Sequence, residues 1–74
     1  MNIANLVKMA NDIGDFFVGE VGPEEASASI ALHLQRYWDP RMRAAIIAHA
    51  GAGGAQLQPA VLGAVRSLPP PRSR

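Results

Sequence analysis

A chain of 74 residues and 7.8 kDa holds one domain at most. Folding at this size buries only about 60% of the unfolded surface, so the core is small and the chain is expected to lean on a partner. It has no cysteine, which excludes a disulfide staple, a thiolate nucleophile and a cysteine zinc site, and its net charge of +1 provides no strong field for nucleic acid or an anionic membrane.

A first helix is predicted from about Asn2 to Val18. Ile3, Leu6, Val7, Ala10, Ile13, Gly14 and Phe17 follow helical spacing and form one stripe, with Lys8, Asn11, Asp12 and Asp15 opposite. Met9 and Phe16 are seven apart and lie above one another, about 100° from the centre of that stripe. They form a second apolar patch, either core against a later helix or a surface for a partner. The same segment lacks the basic start and unbroken apolar run of a signal peptide. No window of the chain is uncharged and apolar enough to span a membrane, so the expected location is the cytoplasm.

Gly19 to Gly22 reads as a break. Pro23 suits the first position of a second helix, and Glu24 and Glu25 suit its positive end. That helix runs to about Trp38, with Ala26, Ile30, Leu34, Tyr37 and Trp38 on one face. Leu32 points the other way, among Glu25, Ser29 and Arg36. Asp39 and Pro40 end it and start a third helix as N-cap and first residue. The third helix covers Pro40 to about Ala50, with Met42, Ala45, Ile46 and His49 inward, and Gly51, Gly53 and Gly54 stop it. A short fourth helix starts at Pro59 and ends near Leu68, with Val61, Ala64, Val65 and Leu68 inward and Leu57 just ahead. No strand pattern or internal repeat occurs. The expected fold is all-α: a small bundle of three to four short helices over residues 1–68, with a disordered proline- and arginine-rich tail over 69–74.

Charge is unevenly spread. Residues 1–40 carry two basic against six acidic side chains, net −4, and residues 41–74 carry five arginines and no acid, net +5. The halves either attract each other, face different partners, or are two solvated surfaces.

Nothing in the sequence forms a reaction centre. His33 and His49 fall on different helices with no paired acid, as surface or core-edge histidines do. The six acids offer no general acid–base pair. The glycines at 51–54 follow a helix and lack the lysine of a phosphate loop. No catalytic, cofactor-binding or metal-ligating residue is expected.

The informative segment is Tyr37-Trp38-Asp39-Pro40-Arg41-Met42-Arg43. Two arginines in the first turn of a helix oppose its dipole, so something should compensate. Trp38 precedes the cap and is expected to stack on Arg43. Arg41 either meets a carboxylate on a partner or bridges locally to Asp39 or Glu20. The expected partner-facing residues are Met9, Phe16, Trp38, Arg41, Met42 and Arg43.

These residues carry a resemblance. Leu6 to Ile13, Phe16-Phe17, Ala31 to Leu34, Tyr37 to Arg43, Leu57 to Val61 and Ala64-Val65, as a set, resemble the delta subunit of bacterial NAD-dependent formate dehydrogenase over about Asn5 to Leu68. The departures are minor: Tyr37 where phenylalanine is as frequent, and the proline–arginine tail. The resemblance implies a non-catalytic accessory subunit of a cytoplasmic hetero-oligomeric enzyme, supporting assembly or quaternary stability through contacts with the large subunits. It implies that the large subunits carry a molybdenum or tungsten pterin, iron–sulfur clusters and flavin, with no cofactor on this chain. Two other readings compete: a helix-turn-helix DNA-binding module and an antitoxin-like regulatory interaction protein. For the first, the would-be recognition helix offers Ala44-Ala45-Ile46-Ile47-Ala48, which has nothing to read base edges.

Overall fold

The computed structural model describes residues 2–71 and forms them into four helices: α1 (Ile3–Val21), α2 (Pro23–Tyr37), α3 (Pro40–Gly51) and α4 (Pro59–Ser67). No strand occurs among the described residues, so the all-α bundle expected from periodicity is the fold. Pro69 to Pro71 are outside any helix, and the last three residues of the expected tail, 72–74, lie outside the described residues. No helix is long and apolar enough to cross a membrane.

Each boundary has a local cause. The Asn2 side chain caps α1 by accepting from the Ala4 N–H at 2.8 Å. The break read at Gly19 to Gly22 is narrower than expected: α1 continues through Gly19, Glu20 and Val21, and only Gly22 leaves it. A lone glycine in a helix costs about 1 kcal/mol and does not end it. Gly22 ends it because its backbone sits at φ 86°, ψ 158°, a conformation open essentially to glycine alone. Its N–H still closes on Val18 C=O, and its C=O accepts from Ala26 N–H, so one residue finishes α1 and starts α2. At the next corner Trp38 is extended and Asp39 caps α3, accepting from Met42 N–H at 3.0 Å.

The core draws on all four helices. Its largest fully buried side chains are Ile30, Leu34, Ile46, Val61 and Val65. The predicted α4 stripe, Val61, Ala64, Val65 and Leu68, is buried throughout, as is Leu57. Two hydrophobic residues assigned to the core stripes are not in it. Ile3 is 40% exposed because it sits in the first turn of α1, at the edge of the bundle beside Ala55 and Gln56. Tyr37 is 70% exposed: the chain turns out of α2 after it, and Trp38 takes the buried place.

Helix α4 packs against α1, α2 and α3. It comes close to α1 at Gly14, where a Cβ would stand 2.5 Å from Val61 Cγ2. A polar clamp holds the start of α4. Asn11 Nδ2 donates to Gln56 C=O at 2.8 Å, and Asn11 Oδ1 accepts from Gln58 N–H at 3.0 Å. Gln58 Nε2 in turn donates to Asp15 Oδ1 at 2.7 Å. Asn11, assigned to the outward side, is therefore half-buried and fastens the loop before α4.

Gly14→Ala should destabilise the chain. The gain of about 1 kcal/mol in helix propensity is outweighed by overpacking against Val61, which typically costs about 1–3 kcal/mol. Thermal unfolding followed by circular dichroism should show a lower Tm for Gly14→Ala and a higher one for Gly19→Ala, where nothing lies within 4 Å of an added Cβ and the propensity gain stands unopposed.

Candidate functional site

The α2–α3 corner resolves the two arginines differently. Arg43 is half-buried, and its guanidinium donates to Trp38 C=O and, at 3.4 Å, to Gln35 C=O. These carbonyls belong to the end of α2, where no further helical N–H reaches them. The cation lies at the negative end of the α2 dipole, which offsets its adverse place at the start of α3. Arg43 thus binds the backbone at Trp38, not the expected face of the indole. Trp38 itself is only 5% exposed and belongs to the core, so its side chain is not the partner-facing surface it was expected to be. Met42 is half-buried and packs against the same core.

Arg41 is exposed, and among the described residues it forms no ion pair, with Asp39, Glu20 or any other acid. Met9 and Phe16 are also on the surface, at 36% and 59% exposure, so the patch they form is not core beneath α4. Of the six expected partner-facing residues, three stand at the surface: Met9, Phe16 and Arg41.

The structure adds a row that periodicity did not single out. Phe16 meets Phe17 edge-on at 5.1 Å between ring centres, Phe17 meets His33 at 5.8 Å, and His33 meets Tyr37 at 4.7 Å. The row crosses from α1 to α2. Beside it a shallow cleft of about 260 Å³ is lined by Phe17, Leu32, His33 and Tyr37, with Arg36 as its one charged wall. Leu32 and Tyr37 are 56% and 70% exposed. The sequence signal for this face was present in Leu32, an apolar residue on the side of α2 away from its stripe. His49, on α3, is engaged instead with the loop, its Nε2 2.8 Å from Ala55 C=O. Among the described residues no group of three or more His, Asp or Glu side chains is placed to hold a metal ion.

These features define a small helical protein whose distinctive parts are an exposed aromatic face and exposed arginines. The chain belongs to the family of the NADH-dependent formate dehydrogenase delta subunit, FdsD, whose sequence model matches residues 5–65. That span runs from the first turn of α1 into α4, and it bears out the resemblance carried by the Tyr37 to Arg43 segment and its companions. No curated protein and no solved structure matches the chain.

The two arginines should separate cleanly on substitution. Arg43→Gln removes a charged donor from two helix-end carbonyls and should destabilise the isolated chain by about 1–3 kcal/mol. Arg41→Gln removes a cation that the α3 dipole disfavours and should leave stability unchanged or raised by a few tenths, about 0.3–1 kcal/mol at most. Urea unfolding of the two variants at low salt measures both.

Proposed function

We propose that this chain is a non-catalytic accessory subunit of a cytoplasmic, NAD-dependent formate dehydrogenase, and that it supports assembly or quaternary stability by binding the large subunits. The observation that carries this reading is membership of the delta-subunit family over residues 5–65. The make-up of the chain supports it. Without cysteine it has no thiolate to hold an iron–sulfur cluster, and its two histidines are committed to different places, one in the aromatic row and one against the loop before α4. The molybdenum or tungsten pterin, the iron–sulfur clusters and the flavin belong on the large subunits in this reading.

The physical action is linkage. A subunit that binds only the assembled form of its partners shifts the equilibrium toward that form, by about 2.7 kcal/mol when its free concentration is a hundred times its Kd. Its means are apolar contacts, through Met9 and Phe16, and charge, through Arg41.

Leaving this chain out when the large subunits are co-expressed should lower the yield and thermal stability of the assembled dehydrogenase while each assembled enzyme keeps its turnover. Adding the purified chain should restore both. Equal yield and stability without it would overturn the assembly role. The isolated chain should bind neither iron, molybdenum, tungsten nor flavin in stoichiometric amount and should not reduce NAD with formate. Metal analysis, absorbance spectra and an NADH assay read this directly.

Phe16→Ala should weaken co-purification with the large subunits more than it lowers the chain's own helicity. Burying a phenylalanine contributes about 1.5–3 kcal/mol, and at 59% exposure most of that remains available to a partner.

A further inference from the structure

The cleft beside the aromatic row opens to solvent, and although Phe17 packs on the core, Leu32 and Tyr37 in its lining do not belong to it. Both project from α2 away from the core, and neither is among the residues packed in it or against it. A solvated helix face would carry charges or amides at such positions; here it carries a leucine, a histidine and a tyrosine, with Ser29 and Arg36 beside them. Aromatic residues and arginine are the side chains that interface hot spots favour. Tyr37 is also held in place in the free chain, its ring against His33 and His33 against Phe17. Less rotamer freedom is then lost on binding.

We propose that this cleft is the docking site for a large subunit of the formate dehydrogenase, which inserts an apolar side chain between Leu32, His33 and Tyr37 and sets a carboxylate against Arg36. The proposal rests on the accessory-subunit reading and names the surface that performs it. Charge selects the occupant. Arg36 is the one charged wall of the cleft, is exposed, and makes no ion pair among the described residues, so the matching segment is apolar with an acid next to it. Area argues against a second copy of this chain. Phe16, Leu32 and Tyr37, each about half to two-thirds exposed, offer together about 300–400 Å² when an aromatic side chain spans about 150–250 Å². A stable interface needs about 800 Å² from each partner, so this face is an anchor within a larger contact and not a dimer interface by itself.

The test uses the co-expressed dehydrogenase and this chain carrying an affinity tag. Leu32→Ser, Tyr37→Ser and Arg36→Glu should each lower the co-purified large subunits by about tenfold or more, the loss expected for a hot-spot residue. Arg36→Lys should retain part of the binding. Circular dichroism melts of the isolated variants should stay close to the parent; if a serine variant unfolds, Arg36→Glu decides alone, since Arg36 is exposed and unpaired. Parent-like co-purification of all three variants would overturn the docking site and leave the accessory role standing. Failure of the unaltered chain to co-purify would overturn both. A concentration-dependent dimer of the isolated chain that Leu32→Ser abolishes would assign the face to a second copy, and would likewise overturn the proposal.

Discussion

The fold depends on the seat that the other three helices, α2 most of all, provide for α4. A helix of nine residues does not persist in water by itself, so α4 exists only as packed. Gly14 leaves a notch in α1 that Val61 fills, and Val61, Ala64 and Val65 then complete the core that α1, α2 and α3 leave open. Alanines at 0–2% exposure, Ala10, Ala26, Ala50 and Ala64, let the helices approach closely. These four alanines thus act as packing devices, small side chains where helices meet.

Directed polar contacts, few in number, set what packing leaves free. Ser27 Oγ donates to Ala60 C=O across the α2–α4 contact, and Asn11 holds the loop that delivers α4. Arg43 joins α2 to α3 by giving its charge to the end of one helix from the start of the next. Ion pairs contribute little. The salt bridge found among the described residues is Lys8 to Asp12 at 3.1 Å, within one helix and well exposed, a kind worth at most a few tenths of a kcal/mol. Among the described residues none joins the acidic first half to the basic second half.

Function in this molecule is a matter of surface. A core this small leaves apolar side chains outside, and here three of the largest, Phe16, Leu32 and Tyr37, lie along the same α1–α2 side, around one row of rings. Apolar side chains left in water are a cost that burial against a partner would recover, and the proposed docking draws on that cost.

The sequence by itself determined the helices and most of their inward faces, because a 3.6-residue period and the Pro23, Asp39-Pro40 and Pro59 signals act locally. It also carried the family, since the motif set survives as a pattern of residue types without reference to distance. Tertiary structure alone decided where residues at the edges of those faces went. Tyr37 and Trp38 are neighbours that fit one stripe equally well, and only the extended turn at Trp38 sends the indole in and the phenol out. Arg43 looked like a liability within its own helix, and its mate was the backbone of another. Asn11 counted as an outward polar residue until the loop at Gln56 and Gln58, 45 and 47 positions away, came to lie against it. Such pairings depend on how helices cross, and crossing is set by the shape of the whole core, the contact of Gly14 with Val61 included, which no local period encodes.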